Sequence, residues 1–196
     1  TTNTPAITFQ EPNGTYTFTI TPINGYSISP TTGTIVVNGN NVITQITFTV
    51  LTYNVTFTEN GLSSGTTWSV IMNGKAFNGE SINKTLSSSA NTITFNLPNG
   101  TYSYMIQGIS GYRASNYSGS IIVSGNTINV KITWTIITYP ITITQTGIPN
   151  GTEWSVTLTG TTFNGQYINT TLSSTTNTIT FYEPNGTYSY RINLPS

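Results

Sequence analysis

The sequence predicts an all-β protein: two tandem immunoglobulin- or fibronectin-like β-sandwich modules on an 86-residue repeat, preceded by an N-terminal segment. Three observations carry this. The segment ITFxxPNGTYxYxI recurs three times, from Ile7, Ile93 and Ile179, at constant spacing. Short runs alternate apolar residues with Thr, Ser and Tyr, and turn residues interrupt them about every 8–12 positions. No segment pairs helix caps with a 3.6-residue apolar period.

The repeat runs without a gap. Residues 53–110 match residues 139–196 at 33 of 58 positions, and residues 1–52 lie over 87–138 in the same register. One full unit, 53–138, reads as seven strands at 53–59, 67–73, 81–86, 91–96, 101–107, 119–124 and 127–137. Its inward positions make Phe57, Trp68, Ile93, Phe95, Tyr104 and Ile121 the expected core. Each PNGTY copy reads as a hairpin whose Asn-Gly accepts positive φ. The loops NGKAFNGE and TGTTFNGQ each offer a phenylalanine, Phe77 or Phe163, as a plug. At 41–59 and 127–146 one unit runs into the next with no Gly-rich linker, so the modules are expected to stand stiffly end to end.

Two framings divide the chain. One takes 1–24 as a tail or donor strand, 25–110 as the first module and 111–196 as the second. The other takes 1–52 as a half unit, 53–138 as a full unit and 139–196 as an incomplete one. In both, the N-terminal segment holds strands that the C-terminal unit lacks or could use. A sandwich lacking strands leaves backbone and core side chains unpaired. Either the chain is part of a longer array, or neighbouring copies complete each other.

Charge is the outlier of composition. Five Lys and Arg balance five Glu, about 5% of residues, against roughly 25% in ordinary domains. Asp, His and Cys are absent. No field is present to attract nucleic acid or an anionic membrane, and no apolar run is long enough to span a bilayer. With few groups to titrate, folding is expected to depend weakly on acid, which suits a secreted protein of an acidic environment.

The same inventory argues against an enzyme. Ser-His and Cys-His sites cannot be built, zinc lacks its usual ligands, and neither an aspartic dyad nor an EF-hand loop is possible. A pair of Glu could serve a glycosidase. However, Glu59 is replaced by Gln145 in the next copy, Glu80 by Gln166, and Glu153 faces Thr67. No catalytic residue, cofactor or metal is expected. Eight N-x-S/T sequons stand at Asn13, Asn54, Asn83, Asn99, Asn116, Asn150, Asn169 and Asn185. About seven would arise from composition alone, so placement matters more than number: Asn13, Asn99 and Asn185 share the PNGT turn. These are the candidate sites for N-linked glycans. Lys131 is the candidate for an isopeptide crosslink to Asn, a reaction that needs burial to deprotonate the amine.

At YNVTFTENGLSSGTTWSV, LPNGTYSY and GYRASNYSGSIIVSGNTINVKITW the chain resembles a repeat of secreted proteins from thermoacidophilic archaea. That group includes the C-terminal regions of thermopsin-like proteases and cell-surface proteins. It is similar, too, to the subunit of archaeal surface threads, thin glycosylated filaments in which an N-terminal strand completes the neighbouring subunit. The resemblance implies an extracellular homopolymer, secreted after signal-peptide removal. Thr4, Pro5, Ala6, Ile7, Thr8, Phe9 and Gln10 would form the donor strand, with Ile7 and Phe9 as anchors. The alternatives are a stalk of a larger secreted or surface-layer protein, and a carbohydrate-binding adhesive module using Tyr26, Tyr112, Tyr117 and Tyr167.

Overall fold

A computed structural model describes residues 6–193. Every regular element among them is a β-strand. The first four are β1 (Gly14–Thr19), β2 (Tyr26–Ser29), β3 (Thr32–Val37) and β4 (Thr47–Val50). The middle group comprises β5 (Thr52–Asn60), β6 (Trp68–Ala76), β7 (Ser81–Ser88), β8 (Thr92–Pro98), β9 (Gly100–Ile106), β10 (Tyr112–Ala114), β11 (Ser118–Val123) and β12 (Ile128–Ile136). The last group is β13 (Tyr139–Thr144), β14 (Trp154–Thr162), β15 (Tyr167–Ser174), β16 (Thr178–Glu183) and β17 (Gly186–Asn193).

The middle group closes on itself. Two four-stranded sheets, β10-β12-β5-β8 and β11-β9-β6-β7, face each other across one core. Alternation decides which side chains enter it: along β5, Val55 and Phe57 are fully buried while Asn54 points out. The six residues expected as core are all buried, Phe57 and Phe95 completely. The Phe57 ring meets Tyr104 edge to face at 5.0 Å and Phe95 at 6.0 Å. Trp68 donates its indole N–H to the Ala90 carbonyl at 2.8 Å, and Trp154 repeats this to Thr176 at 2.6 Å. The first and last strands of the sandwich, β5 and β12, pair in parallel from Ile128 opposite Val55 to Thr133 opposite Asn60. The seven-strand expectation omits β10, three residues that leave one sheet to cap the other; the Tyr-Arg-Ala alternation after Gly111 is its only trace in the sequence.

The PNGTY segment is not a hairpin. β8 pairs with β5 while β9 pairs with β6 and β11, so Pro98-Asn99-Gly100 carries the chain from one sheet to the other. Nor does Asn-Gly supply positive φ: among the described residues no non-glycine residue has it, and Gly14, Gly100 and Gly186 do not either. The corner is held instead by the following tyrosine, whose hydroxyl reaches back to the proline carbonyl. The three bonds are Tyr16 to Pro12 at 2.9 Å, Tyr102 to Pro98 at 2.9 Å and Tyr188 to Pro184 at 2.8 Å. The glycine is needed for space. A Cβ at Gly100 would collide with the Lys75 carbonyl and lie 2.8 Å from the Tyr102 hydroxyl.

The outer groups form smaller sheets. β1 pairs with β3 and β2 with β4; β13 pairs with β16, and β15-β14-β17 form a three-stranded sheet. A second, smaller core gathers Trp154, Val156, Leu158, Ile179 and Phe181. The groups meet through a recurring contact. Phe77 sits edge to face on Tyr26 at 5.3 Å, with its ring against Gly25. Phe163 does the same to Tyr112 at 5.4 Å, against Gly111. These phenylalanines therefore do not plug their own loops; each, about two-fifths exposed, clasps the preceding unit. The glycines make that possible, since a Cβ at either would fall inside the ring's contact distance.

Candidate assembly edges

The sites named from sequence fall into three environments. Thr4 and Pro5 lie outside the described residues. Ala6, Ile7, Thr8, Phe9 and Gln10 form no strand, and Ile7 is 86% and Phe9 77% exposed. These anchors touch no core. Their counterparts Ile93 and Phe95 are buried on β8, where β5 supplies the ladder.

The sequons are mostly at the surface. Asn13, Asn54, Asn83, Asn116, Asn150, Asn169 and Asn185 are exposed, and Asn99 is half-buried. Asn13 accepts the Gly39 N–H at 2.7 Å, and Asn99 accepts the Gly125 N–H at 2.8 Å. Each thus ties the corner to the tip of the β3–β4 or β11–β12 connection through its carbonyl oxygen, leaving the amide nitrogen outside that bond. Lys131 is exposed on β12, opposite Thr58, so the burial that an isopeptide reaction requires is not provided there. Among the described residues no three His, Cys, Asp or Glu come together as a metal site. The tyrosines proposed as a sugar platform do not share a surface. Tyr112 is buried and Tyr26 half-buried in the two Phe joints, Tyr117 meets Trp134 edge to face at 6.4 Å, and Tyr167 stands apart on β15.

The prominent feature is a pair of open edges. In the middle sandwich β11 covers one edge of β9, and β12 covers one edge of β5. In the last group the corresponding edges of β17 and β13 carry no strand among the described residues. The side chains record the difference: Tyr104 is 7% exposed but Tyr190 is 64%, and Ile106 is 2% exposed but Ile192 is 46%. At the other end, Phe48 is 43% exposed where its counterpart Trp134 is 2%. Unpaired N–H and C=O groups beside exposed aromatic and aliphatic side chains make an edge that can accept another strand. The alternating pattern alone could not reveal this, because Tyr104 and Tyr190 occupy nearly identical sequence contexts.

The architecture defines an all-β protein built on face-to-face antiparallel sheets closed by a parallel pair, of immunoglobulin-like type. No family model matches the chain, and no curated protein matches it in sequence. Among solved structures, the Bacillus anthracis TIE protein superposes on 94% of this chain with a TM-score of 0.69 and 16% identity. The chain spans 37% of that protein's length, and the likeness establishes fold. Two others overlap loosely. A putative adhesin from Bacteroides ovatus shares 11% identity over 69% of this chain and 66% of its own, with a TM-score of 0.32. The major pilin T-13 of Streptococcus pyogenes shares 13% over 74% and 82%, with a TM-score of 0.31. Neither carries structural weight at those scores. No helix among the described residues is long and apolar enough to cross a membrane.

Proposed function

We propose that this chain is the subunit of an extracellular, pilus-like filament, of the thread type that its repeat resembles in thermoacidophilic archaea. Copies join head to tail by strand complementation, and the filament serves adhesion or contact between cells. The chain is framed as a half unit (1–52), a full unit (53–138) and an incomplete unit (139–196). The observation that carries the proposal is the contrast between closed and open edges: the same tyrosine is covered in the middle group and 64% exposed in the last. A contact between two different surfaces that does not close into a ring propagates as a fibre. Main-chain hydrogen bonds supply affinity, and alternate side chains entering the partner's core set register.

Thr4 to Gln10 is the N-terminal donor, with the exposed Ile7 and Phe9 as anchors. The exposed sequons carry N-linked glycans, and neither cofactor nor catalysis is involved. Deleting residues 1–10 tests the donor. Folded subunits that no longer polymerise are expected; filaments of unchanged length and number would overturn it. If a longer parent chain supplies the covering strands, the full-length protein stays monomeric at every concentration, and the stalk reading replaces this one.

A further inference from the structure

The 86-residue offset makes the middle sandwich a template for what completes the outer groups. There, β11 runs antiparallel to β9, from Ser118 opposite Met105 to Val123 opposite Gly100, and β12 runs parallel to β5. Subtracting the offset places the counterparts of β11 and β12 at 32–37 and 42–50. The first is β3 in full. The second is strand only over Thr47–Val50. Its residues 42–46 form no strand, and Val42 is 48% and Ile43 93% exposed. These unpaired residues correspond to the part of β12 that ladders onto β5. The chain thus carries, at one end, two uncovered edges and, at the other, second copies of the strands that cover those edges in its own middle.

We infer that a second copy covers the last group with its residues 32–50, β3 lying antiparallel on β17 and 42–47 lying parallel on β13. This rests on the filament reading and adds to the donor at residues 4–10 the two strands that cover the open edges. The transferred register sets Thr34 opposite Ser189, Gly33 opposite Tyr190 and Gln45 opposite Thr144. Two details at the edges fit that register. Gly119 lies so close to Tyr104 that a Cβ there would fall 2.6 Å from the ring; Gly33 keeps a glycine opposite Tyr190. Asn99 holds the Gly125 N–H in the template; Asn185 and Gly39 offer the same pair across the interface.

The aromatic joints extend the same pattern along the fibre. Phe77 clasps Gly25 and Tyr26, and Phe163 clasps Gly111 and Tyr112. The composite unit contains Gly25 and Tyr26, so it meets the next middle sandwich through the same joint that the middle sandwich makes with the last group. One kind of joint then repeats throughout. The exchange displaces β1, which now pairs with β3 with Thr34 opposite Thr17, and frees the segment before it.

Because the chain has no Cys, engineered disulfides report the register without background. Facing residues on neighbouring strands lie within disulfide reach. Two double variants of the full chain, Gln45→Cys with Thr144→Cys and Thr34→Cys with Ser189→Cys, are oxidised at assembling and at dilute concentration. Non-reducing gels should show ladders of dimers, trimers and higher only when assembled. A third, Thr34→Cys with Thr17→Cys, should give a crosslinked monomer that no longer assembles until reduced. Filaments without ladders from either pair would overturn this interface and leave the filament reading standing. Normal assembly of the oxidised third variant would overturn the exchange of β1. Folded protein with no assembly in any variant or in the wild type would sink both.

Discussion

Replacing Gly100 by Ala tests whether the PNGTY corner is a matter of space or of turn conformation. The added methyl would strike the Lys75 carbonyl and lie 2.8 Å from the Tyr102 hydroxyl and 2.9 Å from the Ala76 Cα. Two of these atoms are backbone on β6, where Ala76 is opposite Gly100, so the ladder cannot yield cheaply. Moving Tyr102 is the remaining escape. That exposes a side chain now 1% exposed and strands the Pro98 carbonyl it bonds at 2.9 Å. Lost burial of about 1.5–3 kcal/mol and an unsatisfied buried acceptor of about 1–3 kcal/mol give roughly 2.5–6 kcal/mol in all.

Gly79 is the control, with φ of 85° and nothing within 4 Å of a Cβ. Gly79→Ala should cost only the left-handed backbone penalty of about 1–2 kcal/mol. Urea unfolding followed by tryptophan fluorescence separates the two, since Trp68 and Trp134 both report on the middle sandwich. With a urea slope of about 1.5 kcal/mol/M, Gly100→Ala should lower the midpoint by roughly 2–4 M. A Gly100→Ala protein as stable as Gly79→Ala, or more so, would refute the corner argument.

Four further outcomes are expected. Trp134 has a buried indole N–H with no acceptor, whereas Trp68 bonds Ala90, so Trp134→Phe should destabilise less than Trp68→Phe by about 1 kcal/mol in the same urea assay. The Tyr102 and Tyr188 phenols are raised above the ordinary tyrosine value, first by burial and then by Glu80 and Glu183 respectively. A raised value favours the protonated phenol in the fold, so their contribution is full below about pH 10 and fades as pH climbs through the shifted values. Tyr102→Phe should flatten part of the alkaline fall in melting temperature, and an unchanged alkaline profile would count against it. Phe163→Ala removes the clasp on Gly111 and Tyr112, so X-ray scattering should show a broader range of particle lengths with both cores still folded. With five Glu and neither Asp nor His, melting temperature should fall little between pH 7 and pH 3; acid unfolding at about pH 4 would contradict the composition argument.

Much of the fold was legible because alternation is a backbone-level signal. Phe57, Phe95 and Ile93 sit inward at every second position, and the sequence shows that directly. What it concealed were relations between strands. PNGTY has the composition of a hairpin turn, yet its flanking strands join different sheets, and the Tyr102–Pro98 bond, the Asn99–Gly125 bond and the lack of room at Gly100 explain the motif. Phe77 looked like a plug because a loop phenylalanine most simply covers its own unit; its true partner lies some fifty residues upstream, at Gly25. The open edges were hidden from alternation, since near-identical words give a buried Tyr104 and an exposed Tyr190. The framing that leaves 139–196 an incomplete unit, however, already expects uncovered backbone and core side chains there. Lys131 is the opposite case: alternation places its strand, but its exposure does not provide the burial that the suggested chemistry needs.

Electron microscopy of the native protein, at concentrations that bring copies together, tests complementation between copies most directly. The account predicts unbranched filaments with an axial step of roughly 60–80 Å per subunit, each step divided into two closely similar sandwiches with no gap between copies. Isolated two-lobed particles at every concentration, or filaments in which the β13 and β17 edges remain uncovered, would contradict it.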